Sequence, residues 1–211
     1  VYKRQEIGLR GNNNFGESRI NWSLVYYEND YEDFIDTQIT GRTQRGITIY
    51  QYVNLNNVSI DGFELEVQAL LSDNYSLYLG YSNSDGEQNG EKLISIDPDQ
   101  TIFGLNWSSD NGKFNIRGFA NIVEESIDGF DPICGRSGCN TLVETPGRVT
   151  FDLFFNANLG DNIDLNLAVR NLTNEKYYDW ASINGKTVND PELDLYSNSG
   201  RTFSASIKYI F

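Results

Sequence analysis

Apolar and polar residues alternate one by one along most of this chain, most cleanly in its last stretch. Phe203, Ala205, Ile207, Tyr209 and Phe211 fall on one face; Thr202, Ser204, Ser206 and Lys208 fall on the other, with Ile210 the only apolar intruder. A period of two sends successive side chains to opposite faces of a strand, so one face meets an apolar medium and the other meets polar groups or water. The same alternation predicts strands over 5–9, 20–35, 47–71, 75–81, 101–107, 114–122, 149–157 and 163–169. Together with 201–211 this makes about nine strands, and the expected fold class is all-β and antiparallel.

Gly, Asn, Asp and Ser mark the connections, which alternate short and long. Short turns are expected at 12–17, 72–74, 108–112 and 160–162, and long loops at 40–46, 82–97, 124–146 and 173–200. That rhythm belongs to a transmembrane β-barrel, whose short turns are periplasmic and whose long loops are extracellular. A tilted strand crosses the hydrocarbon in about 9–11 residues, the length of the final run. Apolar rows would face lipid, while rows containing Glu64, Glu66, Gln68, Asp152, Asn156, Asp164, Asn166 and Arg170 would face a wet lumen. Phe211 falls on the short-turn side. An odd strand count does not close a bacterial single-chain barrel with both ends in the periplasm, so residues 1–211 are expected to be one unit, the C-terminal portion of a larger barrel. The competing fold is a secreted, non-transporting, adhesin-like β-sandwich. Its apolar faces would bury each other, and its turns would recur every 8–12 residues or so without the long and short rhythm.

Composition narrows the function. The 211 residues include no run of about 18 apolar ones, so no transmembrane helix is expected. The chain starts at Val1, contains no Met and shows no signal-peptide pattern, which points to a chain cut from a longer exported protein. A net charge of −14 argues against nucleic-acid binding, because phosphates call for Lys and Arg stripes. The acidic groups gather in expected loops (Glu28, Asp30, Glu32 and Asp33; Glu124, Glu125, Asp128 and Asp131; Asp190, Glu192 and Asp194) and are read as solvated tips. Asp97 and Asp99 around Pro98 offer a divalent-cation alternative, although the spacing is not that of an EF-hand. There is no histidine, which removes Ser-His-Asp and Cys-His catalysis, and no enzyme is expected. Cys134 and Cys139, separated by Gly-Arg-Ser-Gly, are expected to form a disulfide in an oxidising compartment rather than a metal site.

Four motifs carry a family resemblance. Asn171-Leu172-Thr173-Asn174-Glu175-Lys176-Tyr177-Tyr178 resembles the Asn-Leu-(Phe/Thr)-(Asp/Asn)-(Glu/Lys)-Lys-Tyr element that follows the penultimate barrel strand of TonB-dependent outer-membrane receptors. Gly200-Arg201-Thr202-Phe203 resembles the Pro-Gly-Arg-x-(Phe/Tyr) lead-in to their last strand, with Ser199 in place of Pro. Asp61-Gly62-Phe63-Glu64-Leu65-Glu66 and Glu6-Ile7-Gly8-Leu9-Arg10-Gly11 are similar to two earlier strands. The resemblance covers essentially the whole chain. It implies a Gram-negative outer-membrane barrel plugged by an N-terminal domain, which imports a scarce iron compound with energy passed through the TonB complex. Implied partners are membrane lipid, the TonB complex, the barrel-assembly machinery and an extracellular iron-compound ligand. Phe203, Tyr209 and Phe211 would be the C-terminal assembly signal.

Three stretches resemble the heme and hemoglobin receptors of that family: Asp30-Tyr31-Glu32-Asp33-Phe34-Ile35, Tyr50-Gln51-Tyr52-Val53-Asn54-Leu55, and Tyr178-Asp179-Trp180-Ala181-Ser182 with Leu193-Asp194-Leu195-Tyr196. Asp179 replaces the first Trp of the family's loop. The resemblance implies that heme or an iron chelate is cargo and that this stretch holds no cofactor of its own. With no His or Met, any axial ligand from here would be a tyrosinate. Receptors for ferric siderophores, cobalamin or oligosaccharides are the alternatives within the family.

Overall fold

The computed structural model describes residues 2–42, 48–93, 95–126, 133–135, 138–140, 143–160, 162–183 and 186–211. Among these the strands are, in chain order, β1 (Tyr2–Phe15), β2 (Ser18–Tyr31), β3 (Phe34–Arg42), β4 (Thr48–Leu55), β5 (Val58–Leu70), β6 (Tyr75–Gln88), β7 (Glu91–Lys92), β8 (Gln100–Ser108), β9 (Phe114–Val123), β10 (Ile133–Gly135), β11 (Gly138–Asn140), β12 (Arg148–Asn158), β13 (Ile163–Arg170) and β14 (Thr202–Tyr209). One α-helical turn, α1 (Trp180–Ile183), and a 3-10 turn over Leu193–Tyr196 precede the last strand. Nine strands form one path, β1-β2-β5-β6-β8-β9-β12-β13-β14, to which β7 adds; β3-β4 and β10-β11 are separate ribbons. Every pairing is antiparallel. Among the described residues no ladder joins β1 to β14, so the sheet stays open at both edges.

The register explains the alternation. Leu24 pairs with Leu65, Leu65 with Tyr81, Leu79 with Phe103, and Phe103 with Ala120. Further on, Phe155 pairs with Leu167, and Leu167 with Ala205. Directly paired residues share a face, so these rows make one continuous apolar surface. Among the described residues nothing packs against it: on the inner strands Phe103 and Leu105 are each 45% exposed and Leu153 41%. A sandwich would bury such a face against a second sheet; a lipid-facing wall leaves it bare. Tyr26 pairs with Phe63, and the Phe63 and Tyr81 ring centroids lie 5.3 Å apart. Immediately beyond them the same face turns acidic, with Glu28 opposite Asp61 and Asp61 opposite Asp85. At the other end Tyr75 pairs with Trp107, Phe114 stacks with Phe155 at 6.3 Å, and Tyr209 meets Phe211 edge-on at 4.9 Å. Two aromatic belts thus bound the apolar band, as membrane interfaces require.

Short and long connections alternate as expected, but their details differ. Asn12–Asn14 are not a turn. They continue β1, where Asn13 accepts a hydrogen bond from Trp22 Nε1 at 3.0 Å, and the chain reverses at Gly16 and Glu17. Gly16 has φ +63°, a conformation cheap only without a Cβ. The runs expected over 20–35 and 47–71 are each interrupted, at 32–33 and 56–57, so β3 and β4 leave the wall as their own hairpin. Asn57, at φ +57°, makes the second break, since Asn tolerates this region better than most residues. β6 likewise runs on to Gln88, into the expected loop, to pair with β7. No described helix is long and apolar enough to cross a membrane.

Candidate functional site

The polar face carries the residues expected to line a lumen. Glu64 lies between Val25 and Ser82, Glu66 between Ser23 and Gly80, and Gln68 between Asn21 and Tyr78. Gln68 Nε2 donates to Glu66 Oε1 at 2.8 Å. Over these strands lies a shallow groove of about 220 Å³ lined by Ser23, Glu64, Glu66, Tyr78, Ser82 and Gln100 among others. Further along, Asn115, Asn156 and Asn166 fall in one row, with Asn166 Nδ2 donating to Ser206 at 3.3 Å. The result is a polar wall of amides, hydroxyls and carboxylates.

At the long-loop end, the motif around Asn171 forms a hydrogen-bonded clamp. Asn171 is buried at φ +52°; its N–H donates to Asp152 Oδ1 at 2.8 Å, and its side chain exchanges two bonds with the Glu175 backbone at 2.8 and 2.9 Å. Leu172 N–H donates to the Phe151 carbonyl at 2.7 Å. Asn174 accepts the Arg201 N–H at 2.9 Å, and a Cβ on Gly200 would lie 2.6 Å from Asn174 Oδ1. That close approach is why glycine precedes the last strand. Lys176 donates to Asp194 Oδ1 at 2.7 Å, and Tyr178 OH reaches the same oxygen at 3.2 Å. The Lys176 ammonium holds the Asp194 carboxyl below its usual range, and the carboxylate raises Lys176 in return. Burial, then the charge of Asp179, pushes the Tyr177 phenol up.

The sequence reading missed Arg148. It donates to the Tyr178 carbonyl at 3.1 Å and to Asp179 Oδ1 at 2.8 Å, and lies 4.3 Å from the Tyr177 ring centroid. Asn198 Nδ2 bonds the other Asp179 oxygen. So Asp179, the departure from the family's Trp, anchors the loop to β12. Its partner lies 31 residues away, and no local spacing reveals such a contact. Behind the clamp Trp180, Ile183, Thr187 and Val143 are buried.

Two of the three stretches noted above come together. Phe34 pairs with Leu55 and Ile35 with Asn54 in the β3-β4 hairpin, whose base packs on Leu55, Val58 and Leu93 with Tyr31, Val53 and Ile96. The Tyr31 and Phe34 rings are 5.3 Å apart. Ile35 and Tyr52 remain 68% and 78% exposed. The third stretch folds separately, held by the Tyr178–Ser197 bridge. Asp99 does not gather ligands: its carboxylate accepts Tyr81 OH at 2.6 Å and Asn83 Nδ2 at 2.7 Å. No cluster of three metal-binding side chains occurs among the described residues. Cys134 and Cys139 face each other in the backbone register of the β10-β11 ribbon, while the expected disulfide rests on side chains outside the described residues. Phe203, Tyr209 and Phe211 lie exposed on the apolar face of the edge strand and just beyond it.

A family model described as TonB dependent receptor-like, beta-barrel, matches residues 3–172. Hemoglobin and hemoglobin-haptoglobin-binding protein A of Haemophilus influenzae is 27% identical over 199 residues, covering 85% of this chain and 18% of the relative. A probable TonB-dependent siderophore receptor, PiuA, of Acinetobacter baumannii is 24% identical over 164 residues, covering 69% of this chain and 22% of the relative. The solved structure of the copper transporter OprC matches all of this chain with 32% of its own, at a TM-score of 0.72 and 18% identity. The chain thus spans about a fifth of the length of these curated relatives.

Proposed function

The chain belongs to the TonB-dependent receptor β-barrel family, and from that membership we propose that it is the C-terminal part of a barrel that imports heme, free or taken from a heme protein. The hemoglobin-binding relative, aligned over 85% of this chain, is the observation that carries the choice of cargo. The convergence of the Tyr31–Phe34 and Val53–Leu55 segments at the base of one hairpin supports it, because a surface already folded spends less on ordering when it binds a protein. In this reading the apolar face contacts outer-membrane lipid, the polar face lines the lumen, and the TonB complex acts through parts of the longer protein. Phe203, Tyr209 and Phe211 present the finished edge to the assembly machinery. The Asn171–Tyr177 and Gly200–Arg201 motif is a structural clamp and not a ligand contact.

A ferric-siderophore receptor is the second reading, favoured by the siderophore-receptor relative. The full-length protein, expressed in an iron-starved host that lacks its own heme uptake, is expected to support growth on hemin and on hemoglobin. Growth on a ferric siderophore but not on heme would reverse the ranking.

A further inference from the structure

On the lumenal face of β9, β12 and β13, two arginines share one aromatic ring. Arg117, paired across the ladder with Phe154, has its guanidinium carbon 5.7 Å from that ring's centroid, and Arg170 approaches the same ring at 5.8 Å. The ring is held in place: it meets Phe119 edge-on at 5.9 Å, and the Phe119 ring lies over Gly104, where a Cβ would come within 2.8 Å. Arg117 is oriented by a hydrogen bond to Asn156 Oδ1 at 3.3 Å. Arg170 immediately precedes Asn171, whose backbone is tied to Asp152. On its other side Phe154 is paired with Ala168, and Ala168 with Ser204, so small side chains leave room beside the ring.

The charges here are unbalanced. Among the described residues neither Arg117 nor Arg170 makes an ion pair, although the chain as a whole carries −14. The carboxylate in this part of the wall, Asp152, is already occupied by the Asn171 N–H and by Asn121 Nδ2. Two like charges over one ring repel unless an anion lies between or beside them. Guanidinium forks match carboxylates in two-point hydrogen bonds.

We propose that Arg117 and Arg170, held beside the Phe154 ring, form a lumenal site for a compound bearing carboxylates, with the carboxylates on the two guanidiniums. This rests on reading the chain as the wall of an iron-compound receptor, and names a contact for that cargo inside the barrel.

The test uses the purified full-length receptor in detergent, titrated by fluorescence with protoporphyrin IX and with its dimethyl ester, which keeps the ring and loses both free carboxylates. The wild type is expected to prefer the diacid by roughly tenfold or more, the value of one charge-assisted hydrogen bond. Arg117→Gln with Arg170→Gln should abolish the preference. If that variant does not fold, as judged by heat-modifiability, Arg117→Lys with Arg170→Lys reads the same preference. It keeps the charge without the planar fork, so the preference should shrink. A wild type that binds neither compound or shows no preference overturns the site, as does a folded variant that keeps the full preference. Growth on hemin is read separately. Growth with an unchanged preference in the variant rejects the site and leaves heme import standing; a preference lost in the variant, with no growth of the wild type on heme, keeps the site and rejects heme as cargo.

Discussion

The membrane wall and the clamp beyond it obey opposite rules. In the wall large apolar side chains stand uncovered, Phe103 and Leu105 at 45% each, while polar rows such as Asn156 and Asn166 bond each other across the strands. In the clamp Trp180 and Ile183 are 3% and 0% exposed, and charged groups such as Asp194 stand in the open. The wall is built for hydrocarbon, where backbone groups must all be paired and apolar side chains lose nothing by exposure. The clamp is a small water-facing core, held by specific hydrogen bonds because it has little apolar area to bury. One chain therefore carries two solvents' worth of rules, and the changeover falls at the Tyr26–Phe63–Tyr81 level.

The largest expected effect comes from removing Phe211. It completes the apolar row of the edge strand against Tyr209, and its deletion from the full-length protein should sharply reduce assembled outer-membrane receptor on heat-modifiability gels. Normal surface levels would remove its place in the wall's logic. Next, Leu167→Arg should destabilise the barrel by about 2–4 kcal/mol if it lies near the midplane, while Asn166→Arg, one residue along but on the lumenal face, should cost much less. Refolding into bilayers measures both, and equal costs would dissolve the distinction between faces.

In the clamp, Asn171→Ala removes a buried amide that bonds Glu175 twice and strains an alanine at φ +52°. A loss of about 1–3 kcal/mol is expected, read as faster hydrogen exchange in the 171–201 loop with the wall strands still protected. Exchange that rises equally in both would show that they are a single cooperative unit. The smallest effect is the Lys176–Asp194 pair, exposed at 62% and 82%. Asp194 is held low, so its contribution is lost as pH falls through that lowered value; Lys176 is held high, so its contribution persists until pH rises through the raised one. Loop protection should therefore be flat through neutral pH and fall only in strong acid or strong base. A change centred near neutrality would contradict the pairing.

Most of the wall was legible because period-two alternation needs no knowledge of partners: Phe151, Leu153 and Phe155 declare their face in isolation. The breaks at 32–33 and 56–57 carry only a polar pair each, Glu32-Asp33 and Asn56-Asn57, inside longer alternating runs, and the pairing of Tyr31 with Val58 shows where β3-β4 must leave the sheet. Asn12–Asn14 misled because asparagine suits turns in isolation, whereas here it is paired with Arg19, Ile20 and Asn21 in a wet ladder. The motif around Asn171 was visible as a resemblance, but its physical purpose depends on Asp152, Phe151 and Arg201. The Arg117–Phe154–Arg170 grouping was invisible, because its members lie on three strands brought together only by register.

The most direct test of the two-faced wall is a cysteine scan of 163–169 and 202–209 in the full-length receptor, with Cys134 and Cys139 replaced by Ser and a polarity-sensitive fluorophore attached at each position. Quenching by brominated lipid should alternate with a period of two, strong at Leu165, Leu167, Val169, Phe203, Ala205 and Ile207. It should be weak at Asp164, Asn166, Ala168, Ser204 and Ser206, where a water-soluble quencher should act instead. Uniform quenching along the strands, or maxima on the even-numbered positions, would contradict the account.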